Sequence, residues 1–417
     1  MPSDALLSRR GLLAALGGTV SLGLAAGIRT NAVLSPLRLD ARIPAGEWPM
    51  EKRDPQRTGY QPQPGPQDGL VERWRRPVGP VNIVRPGVVA TGGRVFTVGR
   101  NALRAVASAD GSLEWVRRRR DQFPSVFPGE SPFEFLQTGP TVNGDRVYVV
   151  GGVTLYGQAA ATGRPTWAFR TTSSFEHVLP VGNLVVIGNS LSNGDQLVAL
   201  DQSTGLRRWA QATSEVPLAF AGAEDNGMDS ALLLTGTSEM GPARLVGRDP
   251  TDGSLRWQTA ADPQLFGAFA TPAVNRGRVY VGGPTLTAFD AGDGSVVWQT
   301  EVSGLTEPVS PVTDGEHVYV VDDGVAVALD AASGAQRWSV SIEETSPFVA
   351  PVLADETLYL PGESAVIALD ASDGSTRFRH ALSGSDARVY GMASADGALY
   401  ARVGRSLRAY GPAEAEQ

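Results

Sequence analysis

The feature that most constrains the fold of this chain is a short phrase that recurs through it and ends each time in an aromatic residue. The phrase Ala-x-Asp-x-x-x-Gly-x-x-x-Trp is clearest at Ala199–Trp209, Ala288–Trp298 and Ala328–Trp338. In seven copies the Gly lies four residues before the aromatic, and successive aromatics are 40 to 52 residues apart: Trp115, Trp167, Trp209, Trp257, Trp298, Trp338 and Phe378. A repeat of about 40 residues built from short strands is typical of β-propeller blades.

Each unit is predicted to contain four antiparallel strands, because alternating β-branched runs are separated by Asp-Gly and Ser-Gly turns. The Asp ends the third strand, where its carboxylate can accept hydrogen bonds from turn amides, and the Gly permits a positive φ. The aromatic then lies within the outer strand, where it has enough area to fill the seam between twisted sheets. We therefore interpret these aromatics as blade-packing residues rather than as ligand platforms.

An eighth unit stops after its third strand. Its predicted strands are Val389–Ala393, Ala398–Val403 and Ser406–Tyr410. The missing outer strand has a counterpart at Leu70–Trp74, and a strand from the other end of the chain would close the ring and remove exposed edges. The repeat therefore predicts an all-β, eight-bladed β-propeller of four-stranded antiparallel blades over residues 70–411, with Trp74 as the eighth aromatic. A seven-bladed ring is the alternative.

Composition restricts the chemistry that the chain can perform. It has 417 residues and no Cys, which excludes disulfides, thiolate metal sites and cysteine nucleophiles. The formal net charge of −8 disfavours nucleic-acid binding, because a phosphate backbone requires a basic surface. Lys52 is the only Lys among 36 basic residues. An acidic, Lys-poor composition favours a salt-adapted protein, and a GC-rich genome is the alternative explanation.

The first 32 residues are predicted to form an export signal. Ser8, Arg9 and Arg10 belong to a twin-arginine pattern that precedes an apolar stretch, Leu12–Ile28. Twin Arg before such a stretch is typical of the Tat pathway, which predicts an extracellular or cell-surface protein. A short transmembrane or buried helix is the alternative, and an uncleaved segment would tether the protein to the membrane.

The remaining segments lack the repeat. Residues 33–69 contain seven Pro and no clear period, so they are predicted to form an extended lead-in packed against the propeller. Residues 412–417 are predicted to be a short tail. The chain is expected to be a monomer.

At the recurring phrase the chain resembles the PQQ-like β-propeller repeat family. The tryptophan-docking motif of this family, Ala-x-Asp-x-x-Thr-Gly-x-x-x-Trp, is matched in full at Ala199–Trp209, and most other copies have Asp or Ser in place of the Thr. The segment Trp48–Tyr60 looks like the start of exported haloarchaeal members, which implies a halophilic archaeal source. The resemblance covers residues 45–411 and implies the fold more specifically than any activity.

Two branches of the family imply different functions. The BamB-like branch implies a non-catalytic scaffold that binds another exported or membrane protein and needs no cofactor. The quinoprotein dehydrogenase branch implies PQQ and calcium above the central channel, in many members with a vicinal Cys pair that this chain lacks. We therefore expect an exported scaffold, with a PQQ-dependent dehydrogenase lacking the Cys clamp as the alternative. A carbohydrate- or peptide-binding module at the channel mouth is a third possibility.

One loop is a candidate partner contact. The four basic residues Arg117, Arg118, Arg119 and Arg120 precede a stretch containing four Phe. Arg and aromatic residues are enriched at interface hot spots, so this segment could contact an acidic partner or an anionic ligand. The alternative is an insertion that folds onto the propeller and leaves its Arg side chains in solvent.

Other polar residues are expected to be structural. None of His177, His317 and His380 has a neighbour at metal-ligand spacing. The acidic stretch Glu224–Asp229 lacks the spacing and the terminal Glu of a calcium loop, so we interpret it as a solvated hairpin tip. No nucleophile elbow, phosphate-binding loop or dinucleotide fingerprint is present.

Overall fold

Eight antiparallel sheets surround a central channel in the computed structural model of this chain. The structure describes the following residues: 34–40, 42–80, 87–99, 102–118, 138–151, 153–171, 177–188, 197–237, 243–260, 270–305, 307–322, 324–342, 345, 349–384 and 387–413. The export signal predicted at residues 1–32, including Ser8, Arg9 and Arg10, lies outside them.

Each blade contains four strands, numbered from the channel outwards. Blades 1 to 4 consist of β3 (Val88–Thr91), β4 (Arg94–Gly99), β5 (Ala102–Ala107), β6 (Leu113–Arg118); β7 (Thr141–Asn143), β8 (Arg146–Gly151), β9 (Thr154–Ala159), β10 (Pro165–Arg170); β11 (His177–Val181), β12 (Leu184–Gly188), β13 (Leu197–Asp201), β14 (Arg207–Gln211); and β15 (Glu215–Ala221), β16 (Leu232–Thr237), β17 (Arg244–Arg248), β18 (Leu255–Ala260). One helical turn, α1 (Ala223–Asn226), follows β15.

The second half of the ring repeats this arrangement. Blades 5 to 8 consist of β19 (Ala273–Asn275), β20 (Arg278–Val281), β21 (Thr285–Asp290), β22 (Val296–Glu301); β23 (Val312–Thr313), β24 (His317–Asp322), β25 (Val325–Asp330), β26 (Gln336–Ser341); β27 (Val352–Ala354), β28 (Thr357–Pro361), β29 (Ala365–Asp370), β30 (Thr376–Ala381); and β31 (Val389–Ala395), β32 (Ala398–Val403), β33 (Ser406–Pro412) with β2 (Leu70–Pro77). A short strand, β1 (Tyr60–Gln61), pairs in parallel with β27.

The two ends of the propeller meet in blade 8. The outer strand β2 pairs antiparallel with β33, placing Leu70 opposite Pro412 and Pro77 opposite Ser406. This confirms the prediction of eight blades closed by an N-terminal strand and excludes the seven-bladed alternative. The hydrophobic core lies between neighbouring sheets, since each main cluster of buried side chains joins strands of adjacent blades.

The recurring Trp residues join each blade to the next. Seven indole Nε1 groups donate to carbonyl oxygens of the following blade at 2.8–3.1 Å: Trp74 to Ser108, Trp115 to Ala160, Trp167 to Gln202, Trp209 to Pro250, Trp257 to Ala291, Trp298 to Ala331 and Trp338 to Ala371. In the same seams, the indole lies against the Gly of the next copy of the phrase. Each copy therefore supplies an indole that packs against the next blade and a turn against which the indole of the preceding blade packs.

Phe378 occupies the one seam where this arrangement has no partner turn. The next blade is blade 8, in which the turn between the third and outer strands is replaced by the separate ends of β33 and β2. Phe378 keeps the ring contact with Tyr359 of its own blade, at a centroid distance of 6.4 Å. An indole N–H has no repeat turn to bind here, which accounts for Phe at this position.

The Asp of the phrase organises the turn that follows it. In blade 6, Asp330 Oδ1 accepts hydrogen bonds from the Ser333 amide and hydroxyl, at 2.9 and 2.8 Å, and Asp330 Oδ2 binds Arg337 at 2.5 Å. These hydrogen bonds from Ser333 and Arg337 lower the pKa of Asp330 to about 2. The Asp330 carboxylate therefore stays charged, and keeps accepting these hydrogen bonds, well below neutral pH.

A glycine substitution tests the forward packing of the indole. Gly334 has φ +72°, and a Cβ built on it would lie 2.6 Å from Cε3 of Trp298. Gly397 has nearly the same φ, +74°, but nothing lies within 4 Å of its Cβ position. We expect Gly397→Ala to cost about 1 kcal/mol from backbone strain alone, and Gly334→Ala about 2–4 kcal/mol because the indole must also move. Equal losses of unfolding free energy in the two variants, measured by urea denaturation, would contradict the packing role of Gly334.

Candidate functional site

Part of the lead-in spans the central channel. Residues 46–61, here called the plug, bond through the backbone to the inner strands or their turns in seven of the eight blades. The backbone partners, at 2.6–3.0 Å, are Trp48 with Ala90, Pro49 with Val142, Pro55 with Phe220, Gln56 with Val274, Thr58 with Thr313, Gly59 with Leu353 and Gly46 with Asp396. The plug therefore spans the channel and makes a backbone contact with each of seven blades.

The plug keeps its shape through a short internal network. Asp54 accepts a hydrogen bond from the Thr58 amide at 2.9 Å and another from the Thr58 hydroxyl, and Arg53 pairs with it at 3.5 Å. Burial raises the pKa of the Asp54 carboxyl, although the Thr58 hydrogen bonds and the charge of Arg53 oppose this. Three non-glycine residues, Lys52, Arg53 and Arg57, have φ between +53° and +71°. Such strain persists only where surrounding contacts hold it.

Two buried cations fasten the plug to blades 4 and 5. Lys52, the only Lys of the chain, is 2% exposed, and its Nζ donates to the carbonyls of Thr271 and Pro272, both at 3.2 Å. Arg57 is also 2% exposed, and its Nε donates to the Leu218 carbonyl at 3.4 Å. Both side chains therefore bind main-chain oxygens at the wall of the channel.

A recess of roughly 870 Å³, which includes its open mouth, lies beside the plug. Its walls are the first strands of blades 7, 8, 1, 2 and 3 and the residues just before them, and Trp48, Glu51, Lys52 and Arg57 contribute from the plug. His177 also lines it. The lining is mainly apolar, so the recess can hold an apolar group beside a few polar ones.

The described lining of the recess carries few ionisable groups. Glu51 is the one carboxylate among these described residues, and the cations Lys52 and Arg57 line the same recess. Across the residues that the structure describes, no three His, Cys, Asp or Glu side chains come together in a way that could hold a metal ion. The described lining thus supplies one carboxylate beside two cations, whereas calcium requires several oxygen ligands.

The predicted partner contact is only partly described. Arg117 Nε and Nη2 donate to the carbonyls of Gly163 and Thr162, at 2.9 and 2.7 Å, so its guanidinium binds the turn of blade 2. Arg118 is exposed on β6, whereas Arg119 and Arg120 lie outside the described residues.

The three His residues occupy different places. His177 lines the recess, His317 Nδ1 lies 3.4 Å from Asp314 Oδ2, and His380 packs edge-on against Tyr410 with ring centroids 5.2 Å apart. Burial lowers the pKa of His380. They are far apart in the fold, on blades 3, 6 and 7, and form no common site.

The acidic stretch Glu224–Asp229 contains most of α1 (Ala223–Asn226) and is not a plain hairpin tip. Asn226 is buried, and its Oδ1 accepts a hydrogen bond from the Gly277 amide of blade 5 at 2.9 Å. The stretch therefore links two neighbouring blades. Within the described ranges, no helix has both the length and the apolar character needed to cross a membrane.

The fold and the plugged channel define the class of protein: an eight-bladed propeller built from PQQ-like repeats. Residues 124–284 and 261–404, together more than half of the chain, match the family described as outer membrane protein assembly factor BamB. The chain therefore belongs to this family of PQQ-like β-propeller proteins. None of the curated protein sequences matches it.

Solved structures with the same fold have different activities. The chain superposes on BamB from Moraxella catarrhalis with a TM-score of 0.63 and 17% identity, covering 84% of this chain and 99% of that one. It superposes on quinohemoprotein alcohol dehydrogenase from Comamonas testosteroni with a TM-score of 0.64 and 13% identity, covering 89% and 82%. The computationally designed Ika8 protein gives 0.59 and 13%, covering 80% and 99%. At these identities, the similarity shows the fold alone.

Proposed function

We propose that this chain is an exported, non-catalytic propeller scaffold that binds another exported or membrane protein. The observation that carries the proposal is the plug, which spans the channel and bonds to seven blades, so that it cross-links the ring. A rigid ring with exposed strands and loops is suited to holding a partner. The twin-arginine pattern at Ser8, Arg9 and Arg10 supports export.

The competing function is a PQQ-dependent dehydrogenase, and direct titration separates the two. PQQ is added to the purified full chain with calcium at high salt, and absorbance and dye-linked alcohol oxidation are followed. We expect neither stoichiometric binding nor turnover, because Glu51 is the one carboxylate of the described recess and the cations Lys52 and Arg57 line the same recess. Stoichiometric PQQ binding with turnover would overturn the scaffold assignment.

The scaffold assignment also has a positive test at the candidate partner contact, Arg117–Arg120. A triple variant, Arg118→Ser, Arg119→Ser and Arg120→Ser, leaves the blade contacts of Arg117 intact, whereas Arg117→Ser removes two of them. We expect the triple variant to retain its thermal midpoint and to lose cross-linking to one stoichiometric partner. Arg117→Ser serves as the control, with a lowered midpoint and unchanged cross-linking. Undiminished cross-linking of the triple variant would remove this loop as the contact.

A further inference from the structure

Charge is divided unevenly around the ring. The described residues of blades 8, 1, 2 and 3, here called the arginine-rich half, contain sixteen Arg and six Asp or Glu. Those of blades 4 to 7, the acidic half, contain eight Arg and nineteen Asp or Glu. A chain with a net charge of −8 therefore has one strongly positive side. This separation of charge gives the protein an electric dipole, which orients it in an external field and steers its encounters.

Blade 8 has the largest excess, with seven Arg and two carboxylates. One of these carboxylates, Glu72, already interacts with Arg75 at 2.7 Å and Arg408 at 3.7 Å. Three further side chains, Arg73, Arg76 and Arg405, form no ion pair with any described residue. Arg73 and Arg405 are exposed. These guanidinium groups are available to an anion from outside the ring.

The chain enters the ring in the same half. Leu34 is the first described residue, and next to it the Ser35 carbonyl accepts a hydrogen bond from Arg208 of blade 3 at 2.6 Å. The Arg38 amide then donates to Asn183 Oδ1 of blade 3 at 2.8 Å. The apolar stretch Leu12–Ile28 precedes this point in the sequence. Any attachment through the N-terminal segment would therefore pull on the arginine-rich half.

We propose that the arginine-rich half binds an anionic phospholipid surface, with the acidic half turned away from it. The positive charge is spread over four blades, which matches an extended charged plane better than a single acidic epitope. Arg is suited to phosphate because its planar guanidinium donates two parallel hydrogen bonds. The plane attracts one half of the ring and repels the other, so the same field supplies both binding and orientation.

The test compares two variants with the same change in net charge. Arg73→Gln, Arg76→Gln and Arg405→Gln remove three positive charges from the arginine-rich half. Gln336→Glu, Ser339→Glu and Thr376→Glu add three negative charges at exposed outer-strand positions of the acidic half. The purified full chain is co-sedimented with vesicles of phosphatidylcholine alone, or of equal parts phosphatidylcholine and phosphatidylglycerol. Any insertion of the N-terminal stretch is common to both vesicles, so the difference between them reports the electrostatic contact.

We expect the unmodified chain to prefer the anionic vesicles and the Arg→Gln variant to lose at least about tenfold in apparent affinity. The control variant should keep its affinity, and ~1 M salt should abolish the preference because the Debye length falls to about 3 Å. Equal losses in both variants would show that net charge alone acts, which overturns the proposal. Equal binding to both vesicles, or capture by immobilised polyglutamate without a preference for anionic vesicles, would also overturn it, the latter in favour of an acidic protein.

Discussion

Replacing Trp48 by Ala should lower the free energy of unfolding by about 3–5 kcal/mol, the cost of removing a fully buried large aromatic side chain. Trp48 is 2% exposed and packs in the largest buried cluster of the ring. Its backbone amide and carbonyl bond to the carbonyl and amide of Ala90. The loss would appear as a lower urea midpoint of the whole ring, followed by circular dichroism. It should not be confined to the N-terminal segment, because the plug contacts seven blades.

The conservative variant Trp48→Phe is the matched control. It keeps most of the buried volume, so a loss below about 1.5 kcal/mol is expected. If Trp48→Ala unfolds at the same urea concentration as the unmodified chain, the plug does not contribute to the stability of the ring. The scaffold proposal would then lose the observation on which it depends.

Replacing Arg248 by Met should cost about 3–5 kcal/mol, because it leaves an uncompensated carboxylate in the interior of blade 4. Arg248 Nε and Nη2 bind the two oxygens of Glu215 at 2.6 and 2.7 Å, and both side chains are buried. Arg278 provides the exposed comparison, since it pairs with Asp290 at 2.8 Å with about a third of each side chain exposed. Arg278→Met should cost less than about 1 kcal/mol. Similar losses in the two variants would contradict this reading of the buried pair.

The same pair predicts a pH dependence with a definite sign. Burial pushes the pKa of Glu215 upwards, but the hydrogen bonds from Arg248 and Thr235 outweigh it and leave the pKa below its ordinary value. Because the folded-state pKa is lowered, the stability contribution is present above the unfolded pKa and is lost as pH falls through the folded value. In Arg248→Met the carboxyl loses this partner, so burial raises its pKa above the ordinary value. The difference in stability between the unmodified chain and Arg248→Met should therefore begin to shrink while the pH is still above the ordinary pKa of Glu, and it should level off below the lowered pKa of Glu215 in the unmodified chain. A difference that is constant with pH would contradict the assignment.

The sequence predicted the ring well because the ring is built from local rules. The distance between Gly334 and Trp338 is the same in every copy, and it places one residue in a turn and the other in the outer strand of the same blade. Closure followed from the count of strands, since the last unit lacked an outer strand and Leu70–Trp74 supplied one. The Trp contacts across seams follow from the same spacing.

The plug was not predictable in the same way. Residues 33–69 are predicted to pack against the propeller, but no pattern in them indicates that part of this segment spans the channel. Their partners lie one per blade, up to hundreds of residues away, and most of the bonds join main-chain atoms that no side-chain pattern reveals. The left-handed backbone at Lys52, Arg53 and Arg57 does not follow from residue type either. The one hint was the unique Lys52, whose burial beside the recess the structure explains.

Closure of blade 8 has a consequence for biosynthesis. The strand Leu70–Pro77 is translated well before its partner Ser406–Pro412, and contacts of such high sequence separation form slowly. During elongation the early strand and the plug have no native partners in most blades. Any product that stops short of residue 406 lacks the strand that β2 pairs with and exposes an open sheet edge. The pairing of β2 with β33 thus makes synthesis through residue 412 a condition for a closed ring without an open sheet edge.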